Sequence, residues 1–152
     1  MNIFRDVHTI KTLLTEAERQ ALSLGDDAPG AEHLVLAALT LEDGSARELL
    51  GVDAARFREA LVAMHAAALE AVGVPAFEEG LHPAPPRPGV YRSEVSAQEV
   101  FQRAKVLAKQ DRRGGLKGAH IVRAAAEREH GTVARVLDRL GIDREALTGE
   151  SR

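Results

Sequence analysis

The chain has 152 residues, of which 45% are hydrophobic and 28% charged, and its formal net charge is −3. This composition indicates one compact globular domain, and so weak a charge gives no electrostatic case for binding nucleic acid or a membrane. The absence of cysteine excludes disulfides, a thiol nucleophile and a cysteine-based zinc site. Because the N-terminus lacks a long apolar run, we expect a soluble cytoplasmic protein.

Four helices are predicted in the first half from apolar residues at helical spacing. Asp6 is placed to cap the first helix, Gly25 ends it, and Gly73 ends the fourth. The predicted helices extend from Val7 to Leu24, from Leu34 to Leu41, from Ser45 to Leu50 and from Asp53 to Val72.

Residues 74–95 are predicted to form a connector between two helical halves. The five prolines in this stretch exclude a continuous helix and favour a semi-rigid, partly polyproline-like segment. In the second half, Ser96 is placed as a helix cap, and no segment shows the alternation of a half-buried strand. The predicted helices there extend from Ser96 to Ala108, from His120 to Arg128, from Thr132 to Leu140 and from Asp143 to Leu147. The sequence therefore predicts an all-α fold.

The two halves repeat each other at an offset of 87 residues, with 9 identities in the 34 positions from 17 to 50. Such self-similarity predicts one supersecondary unit used twice within a single domain spanning residues 1–152, with repeats at 4–73 and 96–149. The matched residues include His33 with His120 and Gly44 with Gly131. The charge differs, at −6 for residues 1–75 and +3 for 76–152, so the copies are not expected to bind one ligand equally well.

No catalytic motif accompanies this repeat. The sequence contains no phosphate-binding loop, no Gly-x-Ser-x-Gly elbow and no His-Glu-x-x-His, and its six histidines lack the spacing of metal ligands. We therefore predict a protein that is not an enzyme and has no cofactor or metal, and a duplicated module favours a binding scaffold.

Two matching segments carry a family resemblance. Gly30-Ala31-Glu32-His33 opens one hydrophobic run, Lys117-Gly118-Ala119-His120 opens the other, and each is followed by Gly-Ser or Gly-Thr and then Gly-hydrophobic-Asp. This pattern resembles the N-terminal domain of Clp chaperone ATPases, particularly the ClpC type, whose signature is Gly-Thr-Glu-His in two copies. The resemblance implies two pseudo-symmetric four-helix repeats that dock substrates and adaptor proteins for an unfoldase ring. Since these 152 residues contain no ATPase module, we expect a stand-alone form.

The resemblance also implies a ligand site at Glu32, because ClpC-type domains recognise phosphorylated arginine through the glutamate of this signature. A carboxylate can accept two parallel N–H bonds from a guanidinium. The second copy has Ala119 instead, and Val7 stands where the family has a threonine near the start of the first helix. At most one site is therefore expected, without its phosphate-side hydroxyls. The structural alternative is that Glu32 only stabilises the positive end of its helix.

His33 and His120 are interpreted mainly as buried residues whose rings bond the preceding loop, with ligand contact as the alternative. Phe4 and Tyr91 also lie 87 residues apart, ahead of each first helix. They are either hydrophobic staples on their own repeats or the anchors of an aromatic groove between them. In similar domains that region receives adaptors and cyclic-peptide antibiotics.

The first functional hypothesis is a non-catalytic module that binds proteins or peptides and acts with a Clp unfoldase or adaptor in regulated proteolysis. The alternatives are a protein that sequesters a cyclic-peptide antibiotic, and a phosphoarginine-binding module with one surviving site. Neither nucleic acid nor a membrane is expected as a partner.

Overall fold

The computed structural model describes residues 3–71, 73, 95–111 and 115–148. All regular structure in these ranges is helical and no strand is present, which confirms the predicted all-α class. No helix described there is both long and apolar enough to cross a membrane. The helices are α1 (Ile3–Ser23), α2 (Ala31–Thr40), α3 (Ser45–Leu50), α4 (Ala54–Ala71), α5 (Val95–Gln110), α6 (Gly118–Ala126), α7 (Thr132–Leu140) and α8 (Arg144–Leu147).

Aspartates and glycines set several of these boundaries. The Oδ1 of Asp53 accepts the N–H of Arg56 at 2.9 Å and so caps α4. Asp143 caps α8 in the same way by accepting the N–H of Glu145 at 3.1 Å. Gly44 and Gly131 precede α3 and α7 with φ of 70° and 107°, which L-residues with side chains rarely adopt. The backbone conformation therefore explains glycine at both positions.

Two predicted caps are wrong. Helix α1 begins at Ile3 and α5 at Val95, so Asp6 and Ser96 both lie inside a first turn rather than before it. Asp6 Oδ1 instead accepts the N–H of Leu116 at 3.1 Å, and Ser96 Oγ accepts the N–H of Ala31 at 3.2 Å. Each of these side chains therefore binds the start of a helix in the other half of the chain.

Helices α2 and α6 form the centre of the molecule and pack against each other, while α1 covers α2 and α5 covers α6. Every residue from His33 to Leu39 is buried, which is typical of a helix surrounded by others. The start of α6 lies close to α2 and α3. A Cβ on Gly118 would lie 2.9 Å from the carbonyl oxygen of Ala38 and 3.0 Å from the Cβ of Ala46, so glycine permits this approach.

The boundaries of the two repeats and their twofold relation stay predictions. Residues 74–94 of the predicted connector lie outside the described residues, and its last residue, Val95, is the first residue of α5.

The cap on α4 provides a test of local stability. We expect Asp53→Ala to lower the free energy of unfolding by about 1 kcal/mol, because the first turn of α4 loses a hydrogen-bond acceptor. Urea denaturation followed by circular dichroism measures this change. Asp27→Ala, at an exposed position between α1 and α2, is the matched control and should change stability by less than about 0.5 kcal/mol. Equal effects of the two variants would contradict the cap.

Candidate functional site

The side chains of His33 and His120 are buried, with 1% and 2% of their surfaces exposed. The Nδ1 of His33 accepts the N–H of Gly30 at 2.8 Å, and its Nε2 lies 2.9 Å from a carboxylate oxygen of Asp26. Since Nδ1 is an acceptor, the ring proton belongs on Nε2 and is donated to Asp26. Both nitrogens are thus engaged within the chain.

His120 has the same arrangement in the second half. Its Nδ1 accepts the N–H of Lys117 at 2.9 Å, and its Nε2 lies 3.1 Å from Asp111. In both places the ring joins the residue before a central helix to the loop that leads into it. This geometry supports a structural role for the two histidines, because neither ring offers a free nitrogen to a ligand.

Asp26, Glu32 and His33 bring three potential metal ligands together, with one atom of each within 4.8 Å of the others. A cation there would have to displace either the Gly30 N–H or the Asp26 carboxylate from the His33 ring. A metal would therefore break bonds that hold the start of α2, so the geometry does not favour a metal centre.

A cavity of about 150 Å³ opens beside the start of α2, and we call it the α2 cavity. Pockets for drug-sized ligands measure roughly 300–1,000 Å³, so this one fits the end of a side chain rather than a whole small molecule. Its lining comes from the first turn of α2, from α5, and from the loop between α6 and α7 together with the start of α7. The lining residues are Ala31, Glu32, Ser96, Arg128, His130, Gly131, Thr132 and Val133.

Glu32 supplies the negative charge of the α2 cavity. Its side chain is only 12% exposed, and its Oε2 lies 4.0 Å from His33 Nδ1. That nitrogen accepts a hydrogen bond and carries no proton, so it does not neutralise the carboxylate. Glu32 makes no hydrogen bond to any other residue that the structure describes. Its oxygens are therefore available to a donor entering the cavity.

One guanidinium and several neutral polar groups also line the α2 cavity. Arg128 forms an ion pair with Glu99 at 2.6 Å, and their side chains are 35% and 58% exposed. Because such a surface pair contributes little stability, an entering anion can compete with Glu99 for the guanidinium. His130 and the hydroxyl of Thr132 lie nearby. The residue before α7, Gly131, has no side chain to cap that helix, which leaves first-turn N–H groups for a ligand or water. The cavity thus combines a carboxylate with anion-binding groups.

A second cavity of about 530 Å³ lies beside the start of α6, and we call it the α6 cavity. Its charge is predominantly acidic. A hydrogen bond from Arg19 lowers the pKa of Glu16 below its usual value, so this carboxylate stays ionised at neutral pH. The lining residues are His8, Thr9, Thr12, Glu16, Thr40, Leu41, Glu42, Asp43, Gly115, Leu116 and Lys117.

The residues singled out from the sequence do not all meet. Glu32 lines the α2 cavity, whereas Val7 is 59% exposed and lines neither cavity. The side chain of Phe4 and the whole of Tyr91 lie outside the described residues. The hydroxyls beside Glu32 come from Ser96 and Thr132, which sequence reasoning did not assign to the site.

One sequence signal could have found these hydroxyls. Thr132 matches Ser45 and Ser96 matches Thr9 at the repeat offset of 87 residues, so a small hydroxyl residue recurs at both places. Arg128 and His130 have no such signal, because their matches are Leu41 and Asp43.

The chain is similar in fold to a domain of a chaperone. No family model matches it, and no curated protein matches it by sequence. Among solved structures it is similar to the N-terminal domain of the caseinolytic protease associated chaperone ClpD from Arabidopsis thaliana. The TM-score is 0.59, with 20% identity, covering 92% of this chain and 89% of that one. This establishes a fold of the Clp N-terminal domain kind, and at 20% identity it does not single out the ClpC type.

Proposed function

We propose that this chain is a non-catalytic docking module that binds protein or peptide ligands through the α2 cavity. The proposal rests on one observation: the nearly buried carboxylate of Glu32 lines the same cavity of about 150 Å³ as the guanidinium of Arg128 and the hydroxyl of Thr132. The fold, shared with a chaperone's N-terminal domain, supports a docking role.

The chemistry of the cavity favours a ligand that carries a cation and an anion side by side. A phosphorylated arginine does so: its guanidinium N–H groups can donate to Glu32, while its phosphoryl oxygens can accept from the Thr132 hydroxyl and from first-turn N–H groups of α7. Arg128 adds a positive charge on the phosphate side. An unmodified arginine has no phosphate to bind the anion-binding groups. A phosphoserine has a phosphate but no guanidinium to donate hydrogen bonds to Glu32.

In this role the module would hold a marked protein or an adaptor for a Clp unfoldase, in line with the resemblance of its two His-containing segments to that family. A cyclic peptide is too large for the α2 cavity. It would require the surface beside Phe4 and Tyr91, whose side chains lie outside the described residues. The α2 cavity therefore favours side-chain recognition over antibiotic sequestration.

Calorimetric titration of the purified chain with three matched peptides tests the proposal. The peptides share one sequence and carry phosphoarginine, arginine or phosphoserine at the central position. We expect saturable binding of the phosphoarginine peptide and at least tenfold weaker binding of the other two. Equal affinity for all three, or saturation by a cyclic peptide alone, would overturn the proposal.

A further inference from the structure

The start of α6 is already occupied by side chains of the chain itself. The four consecutive backbone N–H groups of residues 116–119 all have partners. Asp6 Oδ1 accepts the first at 3.1 Å, His120 Nδ1 the second at 2.9 Å, Asp43 Oδ2 the third at 3.1 Å and Ser45 Oγ the fourth at 2.8 Å. Two of the four acceptors are carboxylates from distant parts of the sequence.

The start of α2 is different, although the same motif opens both helices. There the N–H of Gly30 is bonded to the ring of His33, and the N–H of Ala31 to the hydroxyl of Ser96. No carboxylate from another helix accepts an N–H of residues 30–33 in the part of the chain that the structure describes. Among the described residues, the N–H groups at the α2 start therefore have no carboxylate of another part of the chain as a partner, whereas two such carboxylates accept N–H groups at the α6 start.

The surrounding residues hold both carboxylates in place. Gly115 has φ of 71°, and a Cβ at this residue would lie 2.5 Å from Asp6 Oδ1, so glycine leaves the room that the carboxylate occupies. Asp43 is fixed by Ser45, whose N–H and O–H both donate to its Oδ1, at 2.8 and 2.7 Å. The two carboxylates are thus built into the α6 start.

We infer that Asp6 and Asp43 close the α6 start to phosphate-like ligands, so that the chain has one anion-binding site rather than two. An entering anion would have to displace two carboxylates that already accept the N–H groups. It would also face the negative charge of Glu42 in the α6 cavity, where the charge of Glu16 is paired with Arg19. This inference rests on the proposed function and extends it by specifying that one chain binds one phosphoarginine side chain.

A single site affects how tightly the chain binds a partner that carries two phosphoarginines. Two sites on one module would let a partner with two phosphorylated groups bind with a high effective concentration for the second contact. With the α6 start closed, such a partner instead recruits two separate chains. We therefore expect a peptide with two phosphoarginines to bind one chain no more tightly than a peptide with one, apart from the statistical factor of two.

Amide chemical shifts measured during titration test the inference on the whole chain. In the wild type, phosphoarginine is expected to shift the amides of residues 31–33 and 132–133 in a saturable way and to leave those of residues 116–119 unchanged. Shifts at residues 116–119 with the same midpoint as those at residues 31–33 would overturn the inference. If phosphoarginine shifts neither group of amides, the proposed function fails. The second titration then tests separately whether Asp6 and Asp43 exclude an anion from the α6 start.

The second titration uses inorganic phosphate and the double variant Asp6→Asn, Asp43→Asn. Asparagine keeps an oxygen that can accept the N–H but removes the charge. We expect phosphate to shift the amides of residues 116–119 in the variant with at least fivefold higher affinity than in the wild type. Asp27→Asn with Asp53→Asn removes the same charge elsewhere and should leave these amides unaffected. A double variant that keeps its dispersed spectrum without gaining phosphate binding would refute the inference.

Discussion

Replacing Glu32 with glutamine is expected to weaken binding of a phosphoarginine peptide by roughly 10- to 100-fold. A hydrogen bond to a charged group contributes about 1.5–3 kcal/mol, and each 1.4 kcal/mol corresponds to a factor of about ten in affinity. Glutamine has nearly the same shape but presents one acceptor and an N–H₂ group that faces the donors of the guanidinium. Because the Glu32 side chain is only 12% exposed, water cannot easily replace the lost contact.

Glu42→Gln is the matched control for this experiment. It makes the same chemical change at an exposed residue that lines the α6 cavity. Calorimetric titration of both variants should leave the affinity of Glu42→Gln within about twofold of the wild type. If Glu32→Gln binds as tightly as the wild type, the carboxylate does not contact the ligand and serves only the positive end of α2.

Binding and folding can be separated in the same variants. Glu32 lies in the first turn of α2, where a negative charge stabilises a helix by about 0.3–1 kcal/mol. Urea denaturation of Glu32→Gln should therefore show a loss no larger than this. A small loss of stability with a large loss of affinity assigns the effect to the ligand contact.

The positions of the helices follow from the sequence with little ambiguity. A spacing of three to four residues between apolar side chains, with glycine or aspartate at the ends, predicts α3 and α7 to the residue and places the others within a few residues. The apolar spacing predicts that α2 begins at Leu34, but the helix begins at Ala31. The difference arises because Glu32 and His33, which precede the apolar run, are polar, although His33 is buried. The spacing of apolar residues therefore predicts helix boundaries correctly where the buried residues are apolar.

The caps show where local reasoning stops. Asp6 and Ser96 are residue types that cap helices, yet their acceptors are used by N–H groups 110 and 65 residues away in the sequence. A single acceptor near a helix start can bind its own helix or another one at similar energy, and only the packing of α1 and α5 decides between them. The same limit applies to the α2 cavity, because three segments that are distant in the sequence line it.

The largest loss of stability is expected from His33→Ala. The side chain is 1% exposed, and its removal leaves the N–H of the buried Gly30 without an acceptor. An unsatisfied buried group costs about 1–3 kcal/mol, and the empty space beside it adds to that cost. We expect the free energy of unfolding to fall by about 2–5 kcal/mol, measured by urea denaturation with circular dichroism.

His33→Asn and His8→Ala make this prediction specific to the hydrogen bonds. The Oδ1 of asparagine can take the position of Nδ1 and accept the Gly30 N–H, so this variant should recover a substantial part of the lost stability. His8 is exposed on α1, and its truncation should change stability by less than about 0.5 kcal/mol. If His33→Asn is as unstable as His33→Ala, the bond to Gly30 is not what the ring contributes. The filled volume and the contact with Asp26 then account for the burial of this histidine.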